Sequence, residues 1–408
     1  MTELAPAPTF VPTLDTAAAS APDVVARARA LIPELKTRAA EAEKQRRVPE
    51  ENVRLVREAG LFRVLEQAWT GGYELPVRTH VDVVAAVAEG CTATAWVVGV
   101  AHAHSWMLGH MSRQAQADVY GDDPDTLVAG VIGPRGKAVE QADGSYVLSG
   151  FWPFGSGSER AAWVLLGAQV TDREGRPDGE SDFLVPIADV TLKDDWYVAG
   201  LQGTGSCSVT VESLSVPAHR RLRLDRMLER QLPSYDDPAA PDLAKAQATP
   251  VLTIALCGAA LGTARAAMAE FVRMIPGKKV MYTAHVSHEW VPNQVALGHA
   301  ASLIHAAELV LYRVAEDIDD HARRHSAMSD ELRGRLRMDC ALAVRFCLDA
   351  VDRLFMNGGA SGLSLSSPLQ RAARDLRAMN MHGLLLLETS AEIYGRILLG
   401  LGSNSPIY

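Results

Sequence analysis

Groups that can move a proton near neutral pH are where chemistry would begin. In this chain they are histidines in apolar stretches and hydroxyls in two glycine-rich segments. His102 and His104 stand two apart in an apolar run with no carboxylate beside them, which is not the ligand set a metal needs. His321 and His325 have the i,i+4 spacing of one helix face, but Arg323 and Arg324 between them mark that face as solvated. His382 follows a helical stretch, where an imidazole is either satisfied by a backbone carbonyl at a helix bend or free to accept a proton. Ser156 lies in Trp152-Pro153-Phe154-Gly155-Ser156-Gly157-Ser158, whose plain reading is a tight turn with the serine bonded to its own backbone. Gly203-Thr204-Gly205-Ser206-Cys207-Ser208 comes nearest to a dinucleotide fingerprint. It lacks the last glycine and runs into a strand pattern instead of a helix, so no nicotinamide-binding unit is read. A GK[ST] phosphate loop and a G-x-S-x-G nucleophile turn are both missing.

The elements that must hold these groups separate by period. From 22 to about 126 the pattern is helical, with Val24, Val25, Ala28, Leu31 and Ile32 on one face and a nearly all-apolar run from Ala93 to Met107 that should be a buried helix. From 127 to 222 the period drops to two, and Ala142-Asp143-Gly144-Ser145 between two alternating runs predicts a hairpin. Six or so short strands there suggest a small barrel or sandwich, and a central β-barrel is expected. From 223 to 408 the chain is helical again. Leu336, Cys340, Ala343, Cys347, Val351 and Leu354 step by three or four, and Ser367-Pro368-Leu369-Gln370 reads as a helix start, so a four-helix bundle is expected. Residues 1–21, rich in Pro, Ala and Thr, are expected to form a loose N-terminal arm and not a signal peptide. With 408 residues and 40 basic against 49 acidic side chains, the net charge is −9, and no basic stripe invites nucleic acid. Composition of 48% hydrophobic and 22% charged residues is that of a globular protein. No uninterrupted run of 18 apolar residues is seen, so no membrane partner is expected. Five scattered cysteines without a CxxC pair suit reduced thiols in the cytoplasm.

Several segments together resemble the acyl-CoA dehydrogenase superfamily. They are Thr94-Ala95-Trp96-Val97 with His104-Ser105-Trp106; Gly150 to Gly157, closing at Trp163; Gly200 to Ser206, leading to Val216-Pro217-Ala218-His219-Arg220; and Pro368-Leu369-Gln370-Arg371 with Arg374-Asp375, His382 and Ile393-Tyr394-Gly395. They follow one another in the expected order from about Ala93 to Gly400. Dehydrogenases of this fold commonly carry a base in a tyrosine–glutamate–glycine segment shortly after the Arg-Asp pair. Here that position is Gly383 in His382-Gly383-Leu384, so the carboxylate is missing and a histidine stands beside it. The chain is therefore more similar to the flavin-dependent monooxygenase branch, the oxygenase components of two-component phenol hydroxylases and related N-oxygenases. Glu388 is kept as a minor alternative base, further along the helix.

The resemblance implies a mainly α protein with a central β domain. It also implies reduced FMN or FAD as co-substrate, O2, a C4a-hydroperoxyflavin, and hydroxylation of a small aromatic substrate. A separate NAD(P)H:flavin reductase would supply the flavin. It implies a cofactor wall at Trp152, Phe154, Gly155, Ser156, Gly157 and Ser158, with the glycines letting backbone amides approach the ring. Thr204 and Ser206 would approach the flavin from the barrel loop, and Lys278-Lys279 lies where a basic residue often holds the phosphate. Gly358 and Gly359 resemble a turn that meets a neighbouring subunit's cofactor in a homotetramer. His382 is implied as the base, with a pKa near neutrality, Ser156 as the serine near the flavin N5, and His104, with Trp106 packed beside it, on the substrate side. Other functions on this fold are N-oxygenation of an amine or amino sugar, an acyl-CoA dehydrogenase-type desaturase, and a helical scaffold without flavin. The glycine and serine positions oppose the last.

Overall fold

The computed structural model describes residues 20–408, so the arm expected at 1–21 lies outside it except for its last two residues. Those two already belong to the fold: Ser20 caps the first helix by accepting from Asp23 N. Among the described residues six helices come first, α1 (Ala21–Ala30), α2 (Ile32–Gln45), α3 (Glu50–Glu58), α4 (Val77–Gly90), α5 (Thr92–Leu108) and α6 (Arg113–Tyr120). The seven strands are β1 (Val128–Glu140), β2 (Tyr146–Gly155), β3 (Trp163–Thr171), β4 (Pro177–Pro186), β5 (Thr191–Lys193), β6 (Cys207–Val216) and β7 (Arg221–Arg223). Short helices α7 (Leu224–Leu228), α8 (Pro233–Asp236) and α9 (Ala248–Ile254) lead into the bundle of α10 (Cys257–Met274), α11 (Val291–Arg323), α12 (Asp330–Asn357), α13 (Pro368–Asn380) and α14 (Leu387–Leu398).

The apolar run around α5 is buried on nearly every side, because this helix sits between the sheet, the N-terminal helices and α10. Its neighbour α4 crosses α10 closely. A Cβ on Gly262 would stand 1.9 Å from the Ala85 carbonyl oxygen, so only glycine lets the two helices meet there. The stripe from Leu336 to Leu354 on α12 is wholly buried against its bundle partners. Pro368 begins α13, but Ser367 makes no side-chain cap; Gln370 Nε2 instead reaches back to the Ser367 and Leu365 carbonyls.

The expected barrel is not what forms. The strands make one open mixed sheet in the order β5-β6-β2-β1-β3-β4-β7, with β1 and β3 parallel and the other pairs antiparallel. Closure needs the end strands to pair, and here the ends are three-residue edges that do not. Alternation along a strand reports which face is buried and says nothing about closure. The hairpin at Asp143-Gly144 is present, with Gln141 N–H donating to the Ser145 carbonyl. Two helical stretches, Ala248–Met274 and α11, have the length and apolarity of a membrane span. The first is mostly buried in the bundle, whereas much of α11 is uncovered.

Candidate functional site

Trp96, Val100 and His104 recur every four residues and so share one face of α5. Val100 between them is only partly buried, which leaves that face open at its middle. At the Trp96 end, three segments far apart in sequence converge on the indole. Trp96 Nε1 donates to Ser156 Oγ at 3.2 Å, and its ring meets the His382 imidazole edge-to-face at 5.8 Å between centroids.

The turn after β2 brings Ser156 there. Phe154 takes left-handed backbone (φ 70°), a conformation bulky residues seldom adopt outside strained or functional positions. Its ring is 62% exposed and meets Trp196 edge-to-face at 6.0 Å. Behind Ser156 runs a file of hydroxyls. Ser156 Oγ is 2.7 Å from Ser206 Oγ, Ser206 Oγ is 2.7 Å from Thr204 Oγ1, and Thr204 Oγ1 is 2.8 Å from the Leu201 carbonyl oxygen. The loop carrying this file is locked from α13. Asp375 accepts from Leu201 N at 2.7 Å, Arg374 donates to the Ala199 carbonyl at 2.8 Å, and Leu201 is held at φ 53°. Burial raises the Asp375 carboxyl to about 6.

His382 lies in the turn between α13 and α14, so the helix breaks before Glu388, which sits exposed in the first turn of α14. The ring is half-buried. Its Nδ1 accepts from Leu384 N at 3.3 Å, so the neutral ring carries its proton on Nε2. Burial, and then the nearby Arg337 guanidinium, push its pKa down to about 4 and not to neutrality. Arg337 also donates to the Gly383 carbonyl, fixing the turn. In this geometry the imidazole offers a hydrogen-bond donor at Nε2, whereas the base read from the sequence would need a free lone pair there. A Cβ on Gly383 would touch nothing within 4 Å, so the missing carboxylate is not a matter of space.

At the other end of the α5 face, His104 Nδ1 donates to the Val128 carbonyl at 2.9 Å, and the ring lies over Gly130, where a Cβ would stand 2.7 Å from Nε2. Burial lowers its pKa to about 4. Trp106 is not beside it. Two residues apart on a helix are nearly opposite in direction, and Trp106 turns to His110 and donates to the Leu243 carbonyl at 2.9 Å.

Other expected residues go elsewhere. Trp152 is fully buried, packs on Gly136 and Gly150 and donates to the Gly167 carbonyl, so its ring belongs to the sheet interior and not to a cofactor wall. Gly157 N–H is spent on the Thr204 carbonyl and Ser156 N–H on the Phe154 carbonyl, which removes these amides from any ring; Gly155 pairs with Cys207 in the sheet. Ser158 Oγ is buried below the turn with no hydrogen-bond partner. Lys278 is tied to the Gly358 carbonyl and Ser361 Oγ. Gly358 and Gly359 precede α13 while His382 follows it, so within one chain a helix about 20 Å long separates them. Trp96, which the sequence does not mark as catalytic, is what joins the three converging segments. Its one sequence signal is its place in Thr94-Ala95-Trp96-Val97.

The family model for the acyl-CoA dehydrogenase N-terminal domain matches residues 24–121, and that for the C-terminal domain matches 254–386. The chain is 32% identical over 387 residues to a flavin-dependent monooxygenase oxygenase subunit, HsaA, of Rhodococcus jostii (strain RHA1), covering 90% of this chain and 96% of that protein. It is 31% identical to the oxygenase component of an FADH2-dependent resorcinol hydroxylase of Rhizobium sp. (strain MTP-10005), covering 89% and 90%. Among solved structures, XiaF from Streptomyces sp. in complex with FADH2 and glycerol superposes with a TM-score of 0.90 at 30% identity, covering 95% of this chain and 98% of that one.

Proposed function

Because the chain belongs to the acyl-CoA dehydrogenase family, among the oxygenase subunits of flavin-dependent monooxygenases, it uses reduced flavin, and we propose that it hydroxylates a small phenol-like aromatic in the cleft at Trp96. The observation that carries this reading is the convergence of Trp96, Ser156 and His382, an aromatic, a hydroxyl and an imidazole from three segments at one half-open place. The residues fit a flavin ring: Phe154 and Trp196 leave aromatic surface uncovered beside Ser156, and the Ser158 hydroxyl is unpaired beneath the same turn. Phe154 and Ser156 would hold its ring edge, with the buried Thr204 and Ser206 hydroxyls backing Ser156. Reduced flavin supplies the electrons that activate O2, one oxygen atom going to the aromatic ring and the other leaving as water.

The chain's own residues have three tasks. Trp96 and Val100 give a dry wall, which keeps water from competing for the activated oxygen. His382 Nε2–H would donate to a phenolic oxygen; a donor there stabilises the phenolate, the electron-rich form that accepts oxygen at the ring, once the phenol has given its proton to water. His104, neutral and held by Val128, borders the far end of the same helix face, where the substrate's tail would lie. Absence of a carboxylate at Gly383 weighs against the desaturase reading, and the aromatic substrates named for the relatives weigh against an amino sugar.

Assembly follows from uncovered apolar surface. Val291, Val295 and Leu309 on α11, and Met356, Leu363 and Leu365 at the corner before α13, are exposed. We assign these faces to further copies of the chain in a homotetramer, which would bring Gly358 and Gly359 of one copy toward the cleft of another. The five cysteines are buried and unpaired, which suits a cytoplasmic protein. Light scattering should return about four times the chain mass; a monomer at micromolar concentration would remove the subunit role of Gly358 and Gly359. The purified chain should oxidise NADH only after a flavin reductase is added, and NADH oxidation by the chain alone would sink the two-component reading.

A further inference from the structure

A single peptide unit joins His382 to a buried cation. The Leu384 N–H that donates to His382 Nδ1 and the Gly383 carbonyl that accepts from Arg337 Nη2 at 3.0 Å belong to the same planar group. Its two ends point in opposite directions, so a hold on the carbonyl fixes where the N–H points. Gly383 is exposed and a Cβ there would touch nothing, so no packing keeps this peptide from turning over. Arg337 itself is 4% exposed, its Nη1 donates to the Ile407 carbonyl, and its Nε has no partner. Among the described residues no carboxylate pairs with it, although Arg333, Arg335 and Arg345 of the same helix each pair with an aspartate. An unpaired cation is costly to bury, and an apolar side chain of similar length in its place is often as stable or more so. Such a side chain could not grip two carbonyls. The second carbonyl is itself seated. It also accepts from Ser405 Oγ at 3.2 Å, and the adjoining Tyr408 OH accepts from Arg333 at 2.6 Å, with that guanidinium 4.1 Å over the Tyr408 ring.

From this we infer that Arg337 is a positioning residue, which holds the Gly383–Leu384 peptide so that the Leu384 N–H stays on His382 Nδ1 and the ring's one proton stays on Nε2. Segment 403–408 is the seat from which it does so. The use of that proton in hydroxylation rests on the function proposed above; the hold on the tautomer does not. A peptide turned over would take the Leu384 N–H away and free Nδ1, and a neutral imidazole without that partner can carry its proton on either nitrogen. A donor on the carbonyl also polarises the peptide and strengthens its N–H as a donor to the ring. The guanidinium charge works in the same sense, because it opposes a second proton on the imidazole.

The test reads the tautomer directly. The full chain with isotope-labelled histidine is examined by solid-state nitrogen NMR near neutral pH, the His382 signals being assigned by their loss in His382→Gln. Melting temperature and product per flavin oxidised, with phenol as the probe, are measured on the same preparations. The wild type should show His382 as the Nε2–H form alone. Arg337→Met, similar in length and uncharged, should show both forms and give about tenfold less product per flavin, the scale of one hydrogen bond lost, with hydrogen peroxide making up the difference. Its melting temperature should stay within about 3 °C of the wild type. Arg337→Lys, which keeps a charge and can reach one carbonyl, should lie between the two. Tyr408→Ala loosens the half-buried seat without touching Arg337, and should shift the tautomer in the same direction by a smaller amount. The Nε2–H form alone in both Arg337→Met and Tyr408→Ala would overturn the inference, and so would a mixture in the wild type. A lower melting temperature with tautomer and product unchanged would make Arg337 purely structural and overturn it as well. A mixed tautomer in Arg337→Met with product unchanged would uphold the hold of Arg337 on His382 and overturn the part proposed for His382 in hydroxylation.

Discussion

Two imidazole sites in this molecule are built from the same side chain and do opposite things. In the interior, His102 Nε2 donates to the Leu61 carbonyl at 2.5 Å, and its Nδ1 lies 2.8 Å from His80 Nδ1, so His80 must be the donor of that pair. Both rings are fully enclosed. At the turn after α13, His382 is half-buried and held on one side only, by the Leu384 N–H. Burial keeps all three neutral, pushing His102 and His382 to about 4 and His80 well below its ordinary value. A depressed pKa therefore does not mark the functional imidazole. An unsatisfied nitrogen that faces an opening does.

Exchanging the two sites for alanine should separate them, and His382→Ala carries the largest effect. Hydroxylation should fall about 10²–10³-fold, the scale of one preorganised donor, with hydrogen peroxide accumulating in place of product and the melting temperature nearly unchanged. The turn itself survives, because its backbone bonds, His382 N to the Met379 carbonyl and Leu385 N to the His382 carbonyl, do not use the ring. His382→Gln, which can place an N–H near Nε2, should recover part of the loss. Equal loss in both variants would return His382 to the role of base.

His102→Ala should behave in the reverse manner. It leaves a buried His80 N–H unpaired and a cavity behind, costing about 3 kcal/mol of stability, while turnover per folded molecule stays the same. The interior pair also predicts a pH dependence. The folded pKa of His102 is depressed to about 4 from 6.5, so the unfolded chain binds the proton first. Stability from this group is complete above about pH 6.5 and is lost as pH falls toward 4, by about 3 kcal/mol. Buried Asp182 and Asp375, raised to about 8 and about 6, titrate in the opposite sense. The reading is thus the difference between wild type and His102→Gln in urea midpoints from pH 7.5 to 4.5. Parallel curves would contradict it.

The smallest effect belongs to Gly383→Glu, which restores a carboxylate beside His382. Its Cβ meets nothing, so stability should move by no more than about 0.5 kcal/mol, and hydroxylation should fall only severalfold because the new charge faces solvent. A large loss of fold or activity would mean that the turn is packed more tightly than its open surroundings indicate.

Much of this arrangement was legible beforehand, for local reasons. The α12 stripe, the Pro368 helix start and the Asp143-Gly144 hairpin are short-range patterns, and each forms where its spacing predicts. Non-local facts were not legible. The open edges of the sheet depend on which strands fail to pair, and the hydroxyl file joins residues 50 apart in the chain. Trp152 stands in a suggestive segment, yet strand alternation sends its ring into the sheet while Phe154, further along and forced to positive φ, is turned outward. Trp106 packs on His110 and not beside His104, because helix geometry alone separates residues two apart. The neutral pKa expected for His382 missed its burial and the Arg337 charge, which arrive from a different helix.

The most direct test of the central claim, that the Trp96–Ser156–His382 cleft is where an aromatic is hydroxylated with reduced flavin, is a single-turnover product count. One equivalent of photoreduced FMN or FAD is mixed with the full chain, a phenol and oxygenated buffer, with neither NADH nor reductase present, and hydroxylated product is measured against flavin oxidised. The wild type should give product close to the flavin supplied, and His382→Ala should give hydrogen peroxide in its place. No product from the wild type, or the same yield from His382→Ala as from the wild type, would contradict the assignment of this cleft.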